Sequence, residues 1–156
     1  MKLRLILIGR DRNDPLCKVA DEYASRVTRY YPFEVLELKE TPLRGDSTID
    51  RVRADEAKKI AKHIKPGDYV IAMDERGKSI DSIELSKKIE RWSHEGPSNI
   101  VFVIGGPVGL DRTFLKTANE RWMLSSMTLP HRLARVVLAE QLYRACTIIR
   151  KEPYHK

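Results

Sequence analysis

Two short segments carry the residue types from which a ligand site is built. Gly105-Gly106-Pro107-Val108-Gly109 follows the apolar run 100–104. Glycines behind a buried strand let the backbone approach a ligand with no side chain between them. Leu124 to His131, read as LSSMTLPH, supplies hydroxyls and then a proline at the start of a long apolar helix. Such a turn exposes backbone donors and acceptors. If both loops leave the same edge of a parallel sheet, they frame a pocket for a nucleotide-like cofactor. The glycine run is not GxGxxG, and no Lys-Ser/Thr pair follows Gly109, so neither a dinucleotide fingerprint nor a P-loop is present. His63, His94, His131 and His155 show no ligand spacing such as HxxxH, and no metal is expected. Cys17 and Cys146 stand alone and read as small core residues of a reducing compartment.

The elements that must position these loops alternate from end to end. Strands are expected at Leu3–Ile8, Phe33–Leu38, Tyr69–Met73, Ile100–Ile104 and Trp122–Ser125. Helices are expected at Pro15–Tyr30 behind an Asp14 cap, Ile49–Ile64 before Pro66-Gly67, Ser82–Trp92, Arg112–Ala118 and Pro130–Ile149. Thr41–Thr48 reads as the one long irregular stretch and Asp74–Lys78 as a loop around Gly77. The β-α alternation implies an α/β fold, a parallel sheet with helices on both faces. With 156 residues and neither linker nor repeat, one domain over 1–156 is expected.

The apolar start at Leu3 is only a strand long, and charge returns from Arg10 to Asp14, unlike a secretory signal. No run is long enough for a membrane span, and a cytoplasmic protein is expected. The net charge is +7, and residues 131–156 hold six basic and two acidic side chains, more than half of the excess. A basic end fits a polyanionic partner, RNA in the simplest case, or a solubilising tail, and charge alone leaves both open. The last helix is apolar around nearly its whole circumference. Either it runs through the middle of the domain or its outer face meets another subunit. Arg144 follows Glu140 by four, the spacing of an intrahelical ion pair.

VIGGPVGL, LSSMTLPHRLARVVLAEQLYRA and the terminal PYHK, in this order and spacing, together with the KLRLILIGR opening and VIAMDERGK, closely resemble one family. It is the SPOUT-class methyltransferase of large-subunit ribosomal RNA, which methylates N3 of a pseudouridine. The resemblance spans the whole chain. It implies an α/β domain with a C-terminal trefoil knot, which the usual rule against threading would not predict. It implies S-adenosylmethionine bound at Met73, Gly105 and Leu124, Ser125, Ser126, Met127, Thr128 and Leu129. It also implies a homodimer whose sites are completed by the partner's C-terminal tail, with ribosomal RNA or the ribosome as substrate. Met73 stands where an aliphatic residue is common, and Lys156 where a longer or arginine-ended tail occurs.

Methyl transfer from a sulfonium to a ring nitrogen is mainly a matter of alignment and of removing the N3 proton. His155 is the expected proton acceptor or base-positioning group, because histidine is the residue type suited to proton transfer near neutral pH. Tyr154 is expected to stack on or bond to the flipped base. Arg135 and Arg144 are expected to stabilise negative charge or hold phosphate, with His131 and Glu140 as second choices. The competing readings are a non-catalytic RNA-binding module and a small nucleotide-binding hydrolase or oxidoreductase. Methyl-donor binding separates the first from both.

Overall fold

The computed structural model describes residues 1–9, 13–45 and 47–156. The charged residues expected directly after the first strand, Arg10 to Arg12, and Asp46 of the irregular stretch lie outside the described residues. The chain runs β1 (Lys2–Ile8), α1 (Pro15–Val27), β2 (Phe33–Leu38), α2 (Ile49–Ala61), β3 (Tyr69–Ser79), α3 (Ser82–Glu95), β4 (Asn99–Ile104), α4 (Arg112–Thr117), β5 (Glu120–Met123) and α5 (His131–Ile149). The strands form one sheet in the order β2-β1-β4-β3-β5, and every pairing is parallel.

Strands buried on both faces need apolar side chains in both registers. Leu3, Leu5, Leu7, Ile100, Phe102, Ile104, Ile71 and Trp122 point to one side, where α1, α3 and α5 cover them. Ile6, Ile8, Val70, Ala72, Val101 and Val103 point to the other, against Ile60 of α2 and Phe114 of α4. Asp14, Thr48, Asp81 and Asp111 cap the first four helices by accepting from backbone N–H groups one to three residues into the helix. At the start of α5, Pro130 offers no side-chain cap.

Among the boundaries that depart from the sequence reading, α3 runs on to Glu95 and β5 is Glu120–Met123, and three more departures have a local cause. α1 stops at Val27, because the N–H groups of Tyr30 and Tyr31 both turn back to the Val27 carbonyl. α2 stops at Ala61, ahead of Pro66-Gly67. The Asp74–Lys78 loop is instead part of β3: the strand bulges after Met73 and rejoins β5 at Lys78 and Ser79. Gly77 permits this, since a Cβ there would lie 2.6 Å from the Trp122 backbone.

α5 is wedged between α1 and α3 over the sheet, with Leu138, Ala139, Leu142, Ala145 and Cys146 buried. Leu133, Val136, Val137 and Ile148 stay half-buried on its outer side. Both readings of the apolar circumference thus have a share: one face is core, and the other is left partly open.

Candidate active site

The register of the sheet brings the two loops together. Met73 pairs with Ile104 on one side and with Trp122 on the other. Gly105 therefore leaves β4 at the level of Met73, and Leu124 leaves the neighbouring β5 one residue beyond its end. Three adjacent strands, β4-β3-β5, present the expected cofactor positions at one C-terminal edge, where open α/β sheets bind ligands. Met73, Leu124 and Leu129 pack on the same apolar cluster, while Ser126, Met127 and Thr128 are exposed. Met127 is 74% exposed, an unusual setting for a large apolar side chain. Ser125 Oγ accepts the Met127 N–H at 2.9 Å and closes the turn.

The glycine loop is tight. The Gly109 N–H donates to the Gly106 carbonyl, and Gly109 itself sits at φ +79. Arg53 Nε donates to the Val108 carbonyl at 2.6 Å and holds the loop from below. A Cβ on Gly105 would lie 2.9 Å from the Gly109 carbonyl carbon and 3.0 Å from Leu110. A side chain there would distort the loop itself.

Beside this edge lies a pocket of about 240 Å³ between β5, the start of α3 and the middle of α5. Its walls are Ile80, Leu85, Trp122, Leu124 and Val137, with Asp81, Ser82 and Gln141 as polar groups. Of the expected cofactor residues, Leu124 alone lines it; Met73, Gly105 and Ser125 to Leu129 stand at the edge outside it. Trp122 is fixed from behind: its Nε1 donates to Glu120 at 2.8 Å, and its ring stacks on Trp92 at 6.0 Å. Burial works against the Glu120 charge, but bonds from Trp122, Tyr69 and Lys88 hold its carboxyl below the usual glutamate range. The sequence reading missed Ser82, Trp122 and Gln141. Trp122 was legible as a strand residue, but nothing local in Ser82 or Gln141 indicates that they face each other across 59 positions.

The C-terminal tail is neither frayed nor extended. Lys151 adopts φ +56; its N–H bonds the Ile148 carbonyl and that of Glu152 bonds the Thr147 carbonyl. This is a Schellman turn with lysine in the place glycine usually takes. The turn sends Tyr154 back onto its own helix. The Tyr154 ring lies 4.8 Å from that of Tyr143 and 4.7 Å from the Arg144 guanidinium, and its hydroxyl donates to Glu140 Oε1 at 3.0 Å. Burial, a hydrogen bond with Tyr23 and the Glu140 carboxylate push the Tyr154 phenol far above its ordinary pKa, so it stays a neutral donor. Arg144 donates twice to Glu140 Oε1 and lies 3.5 Å from His155 Nδ1. Tyr154, His155, Arg144 and Glu140 therefore form one group.

Arg135 does not join it. Its side chain is buried, bonded to Asp21 at 2.6 Å and Glu37 at 2.5 Å, with Cys17 Sγ at 3.4 Å. The expected role in holding phosphate or developing charge gives way to a structural one, because two carboxylates already neutralise it. His131 is the first residue of α5. Its Nε2 is buried without a hydrogen-bond partner, 3.5 Å from Glu40, and burial lowers its pKa. Glu56 Oε2 is likewise unpartnered beneath Gly106, and burial raises its carboxyl. Among the described residues no cluster of His, Cys, Asp and Glu is placed to hold a metal, and no helix is long and apolar enough to cross a membrane.

Known proteins match this arrangement over its full length. The family described as "Predicted SPOUT methyltransferase" matches residues 1–155, and the chain belongs to it. Its relatives include a protein of Anaeromyxobacter sp. (strain Fw109-5), 45% identical over the whole of both chains, and one of Gemmatimonas aurantiaca, 42% identical over the same span. A protein of Parabacteroides distasonis is 37% identical over 99% of each chain. All three are named ribosomal RNA large subunit methyltransferase H. Among solved structures, a probable methyltransferase from Bordetella pertussis superposes with a TM-score of 0.58 at 14% identity, over 93% of this chain and 96% of that one. A probable methylase family protein from Haemophilus influenzae gives 0.55 at 16% identity, over 99% of this chain and 70% of that one. These two likenesses concern the fold.

Proposed function

We propose that this protein transfers a methyl group from S-adenosylmethionine to N3 of a pseudouridine in large-subunit ribosomal RNA. The observation that carries the reading is the register that brings Met73, Gly105 and Leu124 to one sheet edge beside an apolar pocket, in a chain that belongs to a methyltransferase family over its full length. When bound, the sulfonium donor supplies an activated methyl group for in-line displacement by the ring nitrogen. Trp122, Leu124, Leu85 and Val137 would wall its purine end, while the glycine loop and residues 124–129 offer backbone groups to its polar parts. His155 accepts or directs the N3 proton, Tyr154 contacts the base, and Arg144 meets the charge that develops.

The partner in this reading is a second copy of the chain. The half-buried outer stripe of α5 supports a homodimer. His131 and Arg144 are thirteen residues apart on α5, so the tail group lies about 20 Å along the helix from the loop that feeds it. We place residues 1–156 in one domain with a C-terminal trefoil knot, acting in the cytoplasm on ribosomal RNA without a metal.

The test uses purified protein, a labelled methyl donor and ribosomal particles that lack the modification, followed by nucleoside mass spectrometry. Label in N3-methylated pseudouridine is expected. RNA binding without donor binding or transfer would leave the non-catalytic module standing instead.

A further inference from the structure

The pocket and the tail are joined by side chains within one subunit. Ser82 Oγ donates to Gln141 Oε1 at 2.5 Å, and Gln141 Nε2 donates to Glu140 Oε2 at 2.7 Å. Glu140 Oε1 then accepts from Tyr154 and Arg144. The direction of this chain is fixed by chemistry. An ionised carboxylate only accepts, so the amide nitrogen of Gln141 must face Glu140 and its oxygen must face Ser82, which therefore donates. Reversing the amide would set its oxygen against the carboxylate. Ser82 and Gln141 also line the pocket beside Trp122 and Leu124, together with Asp81.

We propose that Gln141 is a positioning residue: from the wall of its own subunit's pocket it fixes the placement of Tyr154 and Arg144, which act on the partner's substrate. This rests on the reading of the tail as working in trans. Glu140 carries one negative charge shared among four hydrogen bonds on its two oxygens. Losing the Gln141 bond frees Oε2 to swing, and with it the tail group that Oε1 holds. Gln141 touches no reacting atom in this scheme. It would affect turnover through geometry and leave donor affinity nearly unchanged.

The experiment uses the full-length dimer with Gln141→Leu, which keeps the bulk of the side chain. Calorimetry with S-adenosylmethionine should show affinity within about threefold of wild type, while turnover falls about tenfold, as expected for one bond to a charged group. Mixed dimers then locate the effect, using Gly105→Val chains shown by calorimetry not to bind the donor. In the first pairing, a Gln141→Leu chain supplies the working pocket and a Gly105→Val chain supplies the tail; wild-type turnover per site is expected. In the second, Gln141→Leu and Gly105→Val share one chain and a wild-type chain supplies the pocket; the tenfold loss is expected. Loss in the first pairing, or no loss in the second, overturns the proposal. Replacing Gln141→Leu by deletion of residues 154–156 in the second pairing tests the trans reading by itself: retained activity there sinks that reading whatever Gln141 does. Should Gln141→Leu fail to form a folded dimer, Ser82→Ala breaks the same chain from its far end, leaves α5 untouched and must give the same pattern.

Discussion

Arg135 and Arg144 lie on the same helix, and their surroundings could hardly differ more. Arg135 is 4% exposed and answers to two carboxylates from α1 and β2. Arg144 is 26% exposed, shares one carboxylate with Tyr154 and Gln141, and stacks on an aromatic ring. The N-terminal half of α5 spends its charge on fixing the helix to the sheet. The C-terminal half keeps a cation paired with a single carboxylate, a phenol and an imidazole nearer the surface. A charged side chain on an apolar helix thus says little about function until its partners are counted.

The sharpest way to break this contrast is at the tail. Deleting residues 154–156 should lower turnover by more than about 100-fold, since it removes groups that align and deprotonate the acceptor. Urea denaturation should move by only ~1 kcal/mol, the worth of the Tyr154–Tyr143 contact and one hydrogen bond. A large loss of stability with turnover intact would reverse the roles assigned to the two ends. Arg135→Met should show the opposite pattern: a stability loss of about 3 kcal/mol, below the usual upper range because Asp21 is solvated, with donor affinity kept by the folded protein.

A third test concerns His131, which sits at the N-terminal end with Arg135. Burial lowers its pKa below the ordinary histidine value, against the pull of Glu40; Arg132 adds to the lowering and Asp14 opposes it. The unfolded chain therefore binds a proton at a pH where the folded chain does not, and stability falls as pH drops through the ordinary histidine range. His131→Gln should flatten the loss of thermal stability between about pH 7 and pH 5. An unchanged slope would show that the buried imidazole contributes nothing to it. The smallest effect is expected at Lys151. Replacing it with glycine should raise stability by about 0.5–1 kcal/mol, because its φ of +56 lies where glycine is free and lysine is not.

Much of the frame was legible because a parallel sheet leaves a strong imprint. Leu3–Ile8 and Ile100–Ile104 are apolar at every or nearly every position since helices cover both faces, and Asp14 caps α1 by a bond two residues long. What escaped depends on partners far away. Asp74-Glu75-Arg76-Gly77 looks like a loop in sequence and is instead the bulge of β3, which rejoins β5 at Lys78 and Ser79 with Gly77 close against the Trp122 backbone. Arg135 looked like a phosphate ligand because Asp21 and Glu37 are more than ninety positions upstream. Gln141 gave no local signal for the same reason. Tyr154 and His155 were singled out by resemblance, and no periodicity foretold that a turn at Lys151 would lay them on Tyr143 and Arg144.

That turn has a consequence for assembly. Its two backbone bonds fix the direction of the chain after Lys151 before any partner arrives, so the segment proposed to complete a partner's site is already ordered in the lone subunit. Association then need not freeze a floppy end, and the entropy of ordering it is absent from the free energy of dimer formation. Docking and completion of the site become a single event, and activity should rise with concentration along the dimerisation curve itself, with no slower ordering phase behind it.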